Sequence, residues 1–232
     1  LSLHDALPIC VKKANFVFPV FFQYPFETDE VIAVCQQIGG TVNIPEGIGS
    51  AASMQSVPAE TPLYYTPVHG SGVVFLPVYQ LTMWRLNLKD NYYAPRYALS
   101  MLTPALLHDM NISNCYINHK TVERWWIIKH DVNLADAKFH GYWFSDAVSS
   151  DSDKVRVSWY EWEKPSPYSR LLVIGNTGRK EQPAALKTDW KKLGIAPDGV
   201  KLHDLWENRK ISSLDSLRVK GNNFLLVGIS AK

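Results

Sequence analysis

The hydrophobic pattern changes period along the chain. Phe16 to Tyr24 is aromatic and β-branched enough for a buried strand. Thr28-Asp29 is a helix cap before EVIAVCQQI, which Gly39-Gly40 stops. A short strand TVNI, the turn-rich PEGIGS, a polar loop to about Pro67 and an apolar strand GVVFLPVYQL (Gly72 to Leu81) follow. Strand, helix, strand in this order predicts a parallel unit. A second helix is expected from Pro95, with Tyr97, Ala98, Met101, Leu102, Ala105 and Leu106 at helical spacing. Pro104 should kink it or end it early.

After a strand-like CYIN, TVERWWIIK places Val122, Trp125 and Trp126 at i, i+3 and i+4, and Ile127 and Ile128 widen the stripe, so this helix is expected to be buried on most sides. FHGYWF (Phe139 to Phe144) reads as a strand. The polar run SDAVSSDSDK then marks an expected domain boundary near residue 150. Beyond it the period becomes two. KVRVSWYEWE sets Val155, Val157 and Trp159 on one face, and RLLVIGN, PAALKTDW, VKLHDLW, LRVK and NFLLVGI supply further short strands between turn signals such as Asn176-Thr177-Gly178 and Pro197-Asp198-Gly199.

The expected fold is therefore α/β followed by all-β. Residues 10–150 form a partial (β/α)-barrel-type region, because about 140 residues fall short of the roughly 250 of a full barrel. Residues 151–232 form a carboxy-terminal antiparallel β-sandwich.

Composition narrows the function. The 232 residues are 46% apolar with a formal net charge of +2, which excludes a disordered tail. No run of about 18 uncharged apolar residues occurs, so no membrane span is expected. Without a Lys/Arg stripe, nucleic acid is not an expected partner. Three scattered cysteines make no disulfide framework. Neither GxGxxG nor GxxxxGK[ST] is present, and no cofactor is expected. His69-Gly70-Ser71-Gly72 lacks the G-x-S-x-G elbow and reads as a turn. The pairs His108-Asp109, His130-Asp131 and His203-Asp204 are dispersed over helix ends and the sandwich, so no metal site is expected from them.

Three stretches of the tail, SRLLVIGNTGRKEQPAALKTDWKKLGI, VKLHDLWENRKI and the closing NFLLVGI, resemble the carboxy-terminal β-sandwich of α-galactosidase-like and glycoside hydrolase family 123-like enzymes. PRYALSMLTPALLHDMNI and the segment from TVERWW to FHGYWF are closer to the second group, so the resemblance covers about residues 94–232. It implies a catalytic barrel packed on a structural sandwich, a carbohydrate substrate, and an extracytoplasmic (periplasmic or secreted) enzyme. GGTVNIPEGIGSA is similar to a glycine-rich strand end near the sugar site of some barrel glycosidases, with Glu46 roughly where an Asp often follows. At the other end, LSLHDALPI (residues 1–9) resembles a translated sequencing adapter. Residues 1–9 are thus expected to be an artefact, and an amino-terminal part of the same chain to be missing.

Glycoside hydrolysis needs two carboxyl groups about 5 to 10 Å apart, or one acid and a substrate N-acetyl group. No adjacent catalytic Asp-Glu pair stands out, since Asp29-Glu30 suits a helix first turn. Glu46 and Asp109 are the catalytic candidates, each just past a strand or helix end. Five of the eight tryptophans fall within residues 125–162. Trp84, Tyr142 and Trp143 border loops and are the substrate-binding candidates, because pyranose faces stack on such rings. Trp125, Trp126 and Trp159 are expected in the core. The alternative to a glycosidase fragment is a non-catalytic carbohydrate-binding or scaffold sandwich whose exposed rings do the contacting.

Overall fold

The computed structural model describes residues 42–44, 70–75, 94–112, 117–163 and 166–230. The chain divides into two compact units. In the first, three strands pair in parallel: β1 (Val42–Ile44), β2 (Gly70–Phe75) and β3 (Met110–Ile112), with β2 central. TVNI and the first part of the Gly72 strand thus occur as strands, paired in parallel, while residues 76–81 lie outside the described residues. The strand and helix expected at residues 16–38 lie outside the described residues.

The second unit comprises Tyr93–Asp109 and Asn118–Lys232. It opens with helix α1 (Pro95–Leu107), which starts at the expected proline. The helix runs on through Pro104. The ring falls in its last turn, and burial of Met101, Leu102, Ala105, Leu106 and Leu107, all at most 1% exposed, outweighs one missing backbone donor. Helix α2 (His119–Asp131) follows, capped by Asn118, whose side chain accepts from the Thr121 amide at 3.0 Å. Its burial is narrower than expected: Val122 and Trp125 are buried, whereas Trp126 is 40% and Ile127 59% exposed. Four consecutive apolar residues run around a helix at 100° per residue, and only one stripe of α2 meets its own unit.

After a short turn of helix, the chain enters β4 (Ala137–His140), β5 (Val148–Ser150), β6 (Val155–Trp162), β7 (Arg170–Asn176), β8 (Gln182–Pro183) and β9 (Leu186–Thr188). It closes with β10 (Lys201–Asp204), β11 (Arg209–Ile211), β12 (Arg218–Val219) and β13 (Asn223–Ser230). Six of these form one antiparallel sheet in the order β11-β10-β13-β7-β6-β4. The others form two antiparallel ribbons, β5 with β9 and β8 with β12.

The sheet is covered on both faces. Val155, Val157 and Trp159 of β6, Leu172 and Ile174 of β7, and Val227 and Ile229 of β13 pack against ribbon and loop residues Val148, Ala184, Leu193, Leu214 and Val219. This is the sandwich core, and its β6 face is the one expected from the sequence. The opposite face meets α1: a Cβ on Gly175 of β7 would lie 2.6 Å from Leu107 Cδ1 and 3.1 Å from Thr103 Cγ2. Only a glycine lets the helix come this close.

The boundary expected near residue 150 falls inside this unit. β4 pairs with β6 (Phe139↔Tyr160), and β5, hidden in the polar run, pairs with β9. A three-residue strand with one core residue, Val148, leaves no mark on local composition. FHGYWF is strand only to His140; the amides of Phe144 and Ser145 then bond Gly141 O, both at 3.0 Å, to make a turn.

Candidate functional site

Of the residues singled out from the sequence, Asp109, Tyr142 and Trp143 lie in one cluster at the carboxy end of α1. Glu46 and Trp84 lie outside the described residues. The link between the three is His108, which is fully buried. Its Nδ1 is 2.7 Å from Pro104 O and its Nε2 is 3.2 Å from the Tyr142 hydroxyl. A carbonyl only accepts, so Nδ1 carries the hydrogen, and in the neutral ring Nε2 accepts from Tyr142. The Trp143 indole stacks on the same imidazole, with centroids 5.3 Å apart and planes at 16°. Tyr142 meets that indole edge-on at 5.0 Å, and Phe139 packs beside it at 5.9 Å. One face of Trp143 is therefore already occupied by His108.

Asp109 follows the helix with φ +53°, a left-handed conformation that Asp tolerates better than most side chains. The turn directs its carboxylate toward β6, where the Tyr160 hydroxyl donates to Oδ1 at 2.8 Å. Burial pushes the Asp109 carboxyl above the usual carboxylate range, although the Tyr160 hydrogen bond and the nearby Lys129 charge both oppose this. Burial, with the Asp109 charge and hydrogen bond added, pushes the Tyr160 phenol far upward, so it stays a neutral donor. A carboxyl held toward its protonated form is what a general acid needs. Among the described residues, the groups acting on Asp109 are Tyr160 and Lys129, and neither is a carboxyl.

Two contributors were not singled out from the sequence. Tyr160 is one, and Ser158 is the other: its hydroxyl donates to Leu107 O at 2.7 Å and accepts from the Tyr142 amide at 3.1 Å. Both stand on the face of β6 opposite Val155, Val157 and Trp159. A Ser and a Tyr alternating with core residues were the available signal, since polar side chains on a second buried face need partners.

Among the described residues, no three His, Cys, Asp or Glu side chains gather closely enough to hold a metal ion. No described helix is long and apolar enough to cross a membrane.

Residues 121–229 match the family model described as glycoside hydrolase 123, C-terminal domain. No curated protein matches the chain.

Proposed function

With residues 121–229 matching a glycoside hydrolase C-terminal domain, we propose that this chain is the carboxy-terminal part of an enzyme that hydrolyses glycosidic bonds of a poly- or oligosaccharide. The family match carries this reading. The sandwich would be structural, with much of the acidic machinery supplied by sequence upstream. The neighbours of Asp109 support that division of labour, because among the described residues no second carboxyl acts on it. In this reading Asp109 is a weakly acidic proton donor, Glu46 the other candidate acid, and Tyr142 and Trp143 border the sugar.

The competing reading is a carbohydrate-binding sandwich without catalysis, which calls for several rings presented together. Among the described residues, Trp126 and Phe144 are the only well-exposed large aromatics, and Trp125 and Trp159 are buried. That favours the enzyme.

The test is to express the natural reading frame that contains this chain and assay it, beside the 232-residue chain, on aryl glycosides and oligosaccharides. Turnover by the longer product is expected, falling about 10²-fold or more in whichever of Glu46→Gln and Asp109→Asn removes a proton-transfer group. Turnover that survives both changes removes these two residues as catalysts. Saturable glycan binding with no turnover by either product would replace the proposal with the binding reading.

A further inference from the structure

At the ribbon side of the sandwich, beside the core, lies an opening of about 270 Å³. Leu202, Leu214 and the half-buried Trp190 form its apolar part, and Thr188, Ser212 and Asp215 its polar part. Ser213 holds the last of these in place: its hydroxyl donates to Asp215 Oδ2 and accepts from the Asp215 amide, both at 3.1 Å. Among the described residues, Trp190 Nε1, Thr188 Oγ1 and Ser212 Oγ have no hydrogen-bond partner. An indole with aliphatic neighbours, ringed by unspent hydroxyls and one carboxylate, offers an apolar face together with both donors and acceptors. No cation lines it, so an anionic ligand is a poor match.

A larger hollow of about 540 Å³ surrounds Trp206, but its two arginines are already paired. Arg218 is bound to Glu181 at 2.7 Å and Arg209 to Asp204 at 3.2 Å, while Phe224 and the Arg124 guanidinium flank the Trp206 ring.

We propose that the Trp190 opening is a glycan-contact site separate from the Asp109 cluster. One neutral pyranose ring lays its C–H face on Trp190 and exchanges hydroxyl hydrogen bonds with Thr188, Ser212 and Asp215. The size agrees, being just under the roughly 300 Å³ at which pockets for larger ligands begin. The site rests on the carbohydrate reading above and extends it: the sandwich would hold substrate chain besides its structural part.

The experiment is an NMR titration of the ¹⁵N-labelled 232-residue chain with tetrasaccharides of glucose, galactose and N-acetylated hexosamine, up to about 20 mM, a range suited to affinities near 1 mM. The Trp190 indole signal is assigned by its loss in Trp190→Phe. With at least one tetrasaccharide, that signal and the Thr188 and Ser212 amides should move saturably, and Asp215→Asn and Trp190→Ala should weaken binding about fivefold or more. Asp215 is exposed, so its variant keeps the test valid should Trp190→Ala loosen the core. Signals that stay still with all three sugars, move equally with glycerol, or titrate unchanged in Asp215→Asn overturn the proposal. Turnover is read separately: binding at Trp190 without turnover by the longer product sinks the enzyme reading and leaves this site standing, and turnover with a silent Trp190 does the reverse.

Discussion

Asp109 carries a pH signature that its neighbours dictate. Its carboxyl is raised by burial, so the proton is bound more tightly in the folded chain than in the unfolded one. The corresponding stability is fully present below about pH 4 and is lost as pH rises through the folded value. Asp109→Asn keeps the acceptor for Tyr160 and the left-handed backbone, so it should flatten this loss; urea unfolding at a series of pH values would show it. Glu161 has the opposite sign. Burial alone would raise it, but His140, hydrogen-bonded at 2.8 Å, and the charges of Arg170 and Lys138 together hold it below the usual range. Its contribution is present above the ordinary Glu value and lost as pH falls through the lowered one, so Glu161→Gln should soften acid unfolding. Asp204 is the third instructive carboxylate, fully buried, with Oδ1 accepting from the Trp206 and Glu207 amides, each at 3.1 Å. Asp204→Ala strips both amides and Arg209 of their partner and should cost about 1–3 kcal/mol in urea unfolding.

At the level of elements, β6 ties the layers together. Its odd-numbered residues from Val155 to Trp159 enter the sandwich core, while Ser158 and Tyr160 reach back to the end of α1. Ser158→Ala leaves Leu107 O and the Tyr142 amide without that hydroxyl, so thermal unfolding should register a loss of about 1–3 kcal/mol. Gly175→Ala is a packing test of the same junction. Its methyl would meet Leu107 at 2.6 Å, and the overpacking should cost about 1–3 kcal/mol by denaturant titration. The period-two pattern of residues 155–162 announced one face of β6, because Val, Val and Trp alternate with polar or aromatic neighbours. The second face left only an ambiguous signal there: Ser, Tyr and Trp read equally well as a solvated or a buried row until a helix is known to lie on it.

For the whole molecule, the unit that contains the sandwich begins upstream of where composition changes. α1, α2, β4 and β5 all precede residue 151; α1, β4 and β5 join the later strands through packing or pairing, and α2 reaches Trp206 through Arg124. A chain of residues 93–232 is therefore expected to unfold cooperatively with an antiparallel-β circular dichroism spectrum. A chain of residues 151–232 lacks an edge strand, one ribbon partner and the helix over Gly175. Losing several fully buried apolar side chains, at about 1.5–3 kcal/mol each, removes most of an ordinary domain's stability, so this shorter chain should show no cooperative transition.

What the sequence determined by itself was local. Alternation marked β6, short apolar runs between turn signals marked β7, β10 and β13, Pro95 and the apolar spacing marked α1, and the glycines and prolines marked the turns, since each signal lies within a few residues of the backbone it shapes. The carboxy-terminal resemblance was legible for the same reason, being carried by continuous strands. The tertiary structure decided what depends on contacts distant in sequence. It sent α1 on through Pro104 because burial outweighs one absent hydrogen bond, left Trp126 and Ile127 at the surface because α2 has a single buried stripe, and recruited β5 from a polar run. It also brought Asp109 to Tyr160, 51 residues away. The shift on that carboxyl comes from desolvation, a property of the folded surroundings that no stretch of chain around residue 109 records.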